Sequence, residues 1–167
     1  MKSLRPLLCA GMALVVACSG DGSGPSDSTS FGAEPTVQGQ AKLWLSSTSV
    51  GNAVTLNVNY KQGTAPAPRV ADIRISYTET LELGISTIGD GAKKSGKELT
   101  TQQPKPGLVR LIFLSRDSER IGTGVLAQLK FIKNEKSAAK FDLLMDSPIF
   151  APAESMRGLV VGDPLQF

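Results

Sequence analysis

Val54, Leu56, Val58 and Tyr60 alternate with Thr55, Asn57 and Asn59. Only an extended strand turns that period of two into one apolar and one polar face. The same period runs through Ile73, Ile75 and Tyr77 against Asp72, Arg74 and Ser76, and through Leu81, Leu83 and Ile85 against Glu82, Gly84 and Ser86. Leu43–Ser47, Leu108–Leu114, Val125–Ile132, Lys140–Met145 and Gly158–Val161 add further strand candidates, with another near Glu98. No segment sustains a helical period. About nine short strands divided by Gly, Pro and Asn turns predict an all-β fold, an antiparallel β-sandwich of jelly-roll type. A domain over residues 38–167 is large enough to bury well over half its chain surface without a disulfide staple, and 41% of the whole chain is apolar.

The residues before that domain have a different character. Met1-Lys2-Ser3-Leu4-Arg5 is a short basic start, and Leu7 to Ala17 is an apolar run. The run falls short of the roughly 20 residues that cross a bilayer as a helix. It ends Val15-Val16-Ala17-Cys18, which resembles the lipobox of bacterial lipoproteins, where a small residue precedes the lipidated cysteine. Residues 1–17 are therefore expected to be a lipoprotein signal peptide, with cleavage before Cys18 and acylation of its thiol. Ser19 to Ser30 offers almost no apolar surface, so residues 18–37 read as the acylated cysteine and a flexible linker. Two or three acyl chains anchor stably where one does not. The expected location is the bacterial cell envelope, with the domain periplasmic or extracellular. Ser19 after the cysteine is compatible with outer-membrane sorting in a cell with two membranes.

Several chemistries are excluded by composition. The chain has no histidine, so the commonest general base and metal ligand are missing. Its cysteines are Cys9, in the leader, and Cys18, which leaves the domain no thiol for catalysis or zinc. Removing Lys2 and Arg5 lowers the 18 basic residues to 16 against 15 acidic ones, and so near-neutral a chain gives no electrostatic reason to expect nucleic acid.

Three stretches together resemble cohesin domains. Gly51-Asn52-Ala53-Val54-Thr55-Leu56-Asn57-Val58 is similar to their early strand, and Pro106-Gly107-Leu108-Val109-Arg110-Leu111-Ile112-Phe113 to their central one. Gly124-Val125-Leu126-Ala127-Gln128-Leu129-Lys130-Phe131 is similar to the strand that follows. Order and separation fit, and the resemblance covers nearly everything after residue 40. One departure is Tyr77-Thr78-Glu79-Thr80-Leu81, where cohesins usually carry Tyr-Asp-Pro followed by a leucine. The resemblance implies a module that binds a partner protein of dockerin type, with calcium carried by that partner.

Other motifs dissolve on inspection. Gly91-Ala92-Lys93-Lys94-Ser95-Gly96-Lys97 spells most of a phosphate-binding loop, but Glu98 follows where Ser or Thr should hold magnesium. It reads as a flexible basic loop. Ser137-Ala138-Ala139-Lys140 matches Ser-x-x-Lys but lies between two strands, without the other elements of penicillin-recognising enzymes. Lys130, Lys133, Glu135, Lys136 and Lys140 read as an exposed hairpin end. Asp72, Glu82 and Asp142 sit at outward strand phases, and no calcium loop of EF-hand spacing is present. Neither a catalytic residue, a metal site nor a cofactor is expected, and the chain does not read as an enzyme.

Tyr60, Tyr77, Phe113, Phe131 and Phe141 fall in phase with the core. Trp44 alternates against Leu43 and Leu45, so it is the candidate binding residue, for a sugar ring or a protein hot spot. Its competing role is to cover an end of the sandwich. Protein docking at the envelope is thus the first functional expectation. A surface polysaccharide-binding lipoprotein, or a structural envelope lipoprotein without a dedicated ligand, is the alternative.

Overall fold

The computed structural model describes residues 28–133, 138–144 and 146–167. Among them the chain forms β1 (Thr29–Phe31), β2 (Lys42–Val50), β3 (Ala53–Lys61), β4 (Val70–Tyr77), β5 (Glu82–Ile88), a single helical turn α1 (Asp90–Lys93), β6 (Glu98–Lys105), β7 (Leu108–Leu114), β8 (Gly124–Ile132) and β9 (Lys140–Leu143). It ends with β10 (Ile149–Ala151), a 3-10 turn over Ala153–Met156, β11 (Val160–Val161) and β12 (Leu165–Gln166). One sheet has the order β1-β2-β3-β8-β5, with β11 also beside β2. The other has the order β12-β9-β4-β7-β6, with β10 also beside β4. Among the described strands, only the β11/β2 pairing is parallel. The antiparallel sandwich expected from the alternation is therefore present.

Each expected strand falls on an observed one, but three short strands were not expected: β1, β10 and β12. They follow no apolar alternation, because two or three residues are too few to display a period. β1 lies inside the span that composition assigns to the linker and pairs with Ser47–Ser49 of β2.

Turns set the register. Val50 pairs with Ala53 across the two-residue loop Gly51-Asn52, where Gly51 takes φ +59°. Lys105 pairs with Leu108 across Pro106-Gly107, with Gly107 at φ +75°. Proline followed by a positive-φ glycine suits the two central positions of a type II turn.

Two interruptions shift the side-chain phase. Between Val58 and Asn59 the β3 register on β8 slips, so the consecutive residues Leu126 and Ala127 are both buried. A second slip lies between Leu83 and Ser86. Leu81 is buried, but Ile85 is 63% exposed, which corrects the expectation that Leu81, Leu83 and Ile85 share a face. An extra residue in a β-bulge inverts every phase beyond it.

The five aromatics expected in the core are all buried there. Tyr77, Phe131 and Phe141 form a line with ring centroids 4.9 and 5.0 Å apart. Phe131 belongs to one sheet and Tyr77 and Phe141 to the other, so the line ties the layers together. It continues through Phe167 to Phe31, whose rings stack at 4.4 Å and 4°. Among the described residues no helix is long and apolar enough to cross a membrane.

Candidate functional site

The sandwich presents two outer faces of different chemistry. On the β9-β4-β7-β6 face, cross-strand pairing places side chains in rows: Val70 beside Ala151, Asp72 between Ile149 and Ile112, Arg74 beside Arg110, and Ser76 between Asp142 and Leu108. Thr100 and Gln102 extend the Ile112 and Arg110 rows. Leu114 is 47% exposed and Ile149 50%. Aliphatic side chains therefore lie open on both sides of a charged centre.

That centre is rigid. The Arg110 guanidinium donates to both Asp72 oxygens, Nε to Oδ1 at 2.9 Å and Nη2 to Oδ2 at 2.6 Å. Such a two-point pair fixes direction as well as charge. Hydrogen bonding from Arg110 is the main reason the Asp72 carboxyl lies below its usual range. Arg74 Nη1 reaches Asp146 at 3.2 Å, while its backbone N–H donates to Ser147 Oγ at 2.7 Å. Ser147 Oγ in turn donates to the Asp72 carbonyl. These bonds tie β4 to β7 and to residues 146–147.

The β2-β3-β8-β5 face is amide- and hydroxyl-rich. Trp44 pairs with Asn59, and Ser46, Asn57, Gln128 and Thr87 form one row across four strands. Trp44 is half-buried. It lies in a cleft of about 600 Å³ walled by residues 31–37 and 160–166. The close wall depends on Gly162, where an added Cβ would stand 2.6 Å from the Trp44 Cβ. Glu34, in the same cleft, accepts from Lys42 Nζ at 2.7 Å and Lys61 Nζ at 2.9 Å. These lysines hold its carboxyl below the usual range. Trp44 thus neither joins the core nor stands free: it lines an edge cleft.

The phosphate-loop look-alike has a structural role. α1 overlaps its start, Gly91 and Ala92 are buried, and Lys97 is 5% exposed. Lys97 Nζ donates to Ser115 Oγ at 2.6 Å and to the Glu119 carbonyl, with Asp117 Oδ1 at 3.8 Å. The flexible basic loop expected from composition is instead a buried ammonium pinning residues 115–119. Ammonium desolvation is costly unless such partners are supplied. Lys140 opens β9, while Ser137, Glu135 and Lys136 lie outside the described residues, as do Cys9, Cys18 and the leader. Asp72, Glu82 and Asp142 all face outward as expected, Asp72 and Asp142 half-buried and Glu82 exposed. No group of three or more metal-ligating side chains comes together among the described residues.

Sequence reasoning named Trp44 as the candidate and did not anticipate the Asp72–Arg110 pair. Both outward phases were legible; that they meet across β4 and β7 depends on register.

No protein-family model matches the chain, and no curated protein matches it in sequence. Solved structures do match. The sixth cohesin from Acetivibrio cellulolyticus scaffoldin B, in complex with Cel5 dockerin, has a TM-score of 0.61 at 18% identity, covering 75% of this chain and 96% of that one. A type III cohesin of the cell-surface anchoring scaffoldin ScaE of Ruminococcus flavefaciens has a TM-score of 0.57 at 11% identity, covering 74% and 86%. A non-cellulosomal cohesin from Archaeoglobus fulgidus has 0.55 at 12% identity, covering 76% and 90%. The fold is that of cohesin modules.

Proposed function

We propose that this chain is a lipid-tethered, cohesin-like module that docks a partner protein of dockerin type through the β9-β4-β7-β6 face, and that it is not an enzyme. The observation that carries the reading is the composition of that face. Half-exposed and exposed aliphatics flank an Arg–carboxylate centre already fixed by two hydrogen bonds. Binding to a rigid sheet orders few new side chains, which limits the entropic cost of association. Apolar contacts around fixed charges are also the make-up of specific interfaces. Two further facts support the reading. The chain has the cohesin fold, and the Acetivibrio cohesin it resembles was solved with a dockerin. The tether rests on the sequence, with Cys18 following Val15-Val16-Ala17 and preceding a Ser/Gly-rich stretch.

The test is affinity capture. Immobilised residues 19–167 are exposed to envelope and secreted proteins with calcium or with chelator, and the retained species are identified. Calcium-dependent retention of one protein carrying paired calcium-loop helices is the expected result. Retention that ignores both calcium and an Ile112→Arg substitution on the docking face contradicts it.

A further inference from the structure

We infer that the Trp44 cleft and the amide row beside it form a second site, on the opposite sheet from the docking face, for a neutral oligosaccharide chain. The volume of about 600 Å³ lies in the range of small-ligand sites, roughly 300–1,000 Å³. Trp44 supplies a partly open indole, the side chain best suited to stack on the apolar face of a sugar ring while its edge stays wet. Next to it, the row Ser46, Asn57, Gln128 and Thr87 crosses four strands. That is a strip about 14 Å long, three strand spacings, made only of amides and hydroxyls.

The strip is organised and uncharged. Asn59 Nδ2 donates to Ser46 Oγ at 2.9 Å, and Gln128 Nε2 donates to Asn57 Oδ1 at 3.0 Å. These bonds orient the amides and leave Asn59 Oδ1, Asn57 Nδ2 and Gln128 Oε1 to meet hydroxyls of a ligand, which donate and accept equally. The Glu34 carboxylate in the cleft pairs with Lys42 and Lys61, and Asp163 also lines it, so two charges of each sign leave no net charge to select an ionic ligand. Of the large exposed aliphatics near this face, Val50 and Ile132 share a cross-strand row with Ala53 at the other end of the strands, Ile85 lies on β5, and Val37 lines the cleft with Trp44. The amides and hydroxyls beside Trp44 favour a hydroxyl-bearing ligand over a purely apolar protein contact.

Trp44 is the chain's single tryptophan, so its fluorescence reports on this site alone. The full chain, in detergent, is titrated with cellohexaose, xylohexaose, laminarihexaose and a proline-rich peptide. A saturable emission change with at least one hexasaccharide and none with the peptide is expected. The double substitution Asn57→Ala and Gln128→Ala should weaken that binding about tenfold with an unchanged melting temperature. Capture of a protein partner through the other sheet should not alter. The inference is overturned if no hexasaccharide gives a saturable change, if the peptide alone binds, or if the double variant binds as well as the parent.

Discussion

At the scale of single residues, the outer faces are specified by pairs that the alternation alone does not announce. Asp72 and Arg110 each fall on an outward phase, which is legible; that they are neighbours follows from Asp72 pairing with Ile112, and Arg74 with Arg110, in the β4/β7 register. The Asp72 carboxyl has a folded pKa below its unfolded one. Its contribution to stability is therefore complete above the ordinary carboxyl pKa, about 3.9, and is lost as pH falls from there through the folded value. Asp72→Asn should cost about 1 kcal/mol at neutral pH, a modest figure because 35% of the Arg110 side chain is exposed and water screens the pair. Urea unfolding at pH 7 and at pH 3 checks this: the gap between parent and variant should narrow in acid.

Tyr60 shows the opposite case. It sits in phase with the core as expected and packs edge-on to Phe150 at 5.7 Å. Its hydroxyl, however, has no partner among the described residues, and burial pushes its pKa up to about 12. An unpaired buried hydroxyl is unfavourable. Tyr60→Phe should raise stability by about 1 kcal/mol, measured by the same urea unfolding; a loss of that size would show that the hydroxyl is satisfied.

At the scale of elements, the long strands were legible because each carries several apolar alternations. What escaped was produced by pairing: the slip in β5 that exposes Ile85, the slip opposite β8 that buries both Leu126 and Ala127, and the short strands β1, β10 and β12. β1 pairs with its chain neighbour β2 but is also held by a segment distant in sequence. Phe31 stacks on Phe167, and Phe167 exchanges two backbone hydrogen bonds with Ala139, N–H to carbonyl in each direction, at 2.9 and 3.0 Å. The first and last strands of the described fold are thereby clasped at one end of the sandwich. Phe167→Ala should cost about 2 kcal/mol of stability through lost apolar burial. Amide hydrogen exchange should then quicken in β1 and β12 while β3 and β8 stay protected. Equal quickening across the sheet would mean that the clasp belongs to the cooperative core.

At the scale of the whole molecule, a two-sheet sandwich presents two faces of unlike chemistry, and the proposed tether would hold it at a membrane. The sandwich was legible from its period, and the cohesin resemblance from three strands in series. The candidate face was not, because its cross-strand rows and charge pairing emerge only when four strands from distant parts of the chain lie side by side. The tether makes its own prediction. Cys18→Ala should move the protein from the membrane to the soluble fraction on cell fractionation, since anchoring rests on acyl chains. Persistence in the membrane fraction would place the anchor elsewhere.

Docking through the proposed β9-β4-β7-β6 face predicts how substitutions on the two sheets should differ in a single titration. The partner retained in calcium is titrated by calorimetry into the parent, into Ile112→Arg and into Gln128→Arg. A bulky charge at Ile112, in the middle of the proposed interface, should weaken binding at least about a hundredfold, the size of a hot-spot loss. Gln128→Arg, on the opposite sheet, should leave binding unchanged. If instead Gln128→Arg abolishes binding and Ile112→Arg is silent, the partner docks on the other sheet and the assignment of the face is wrong.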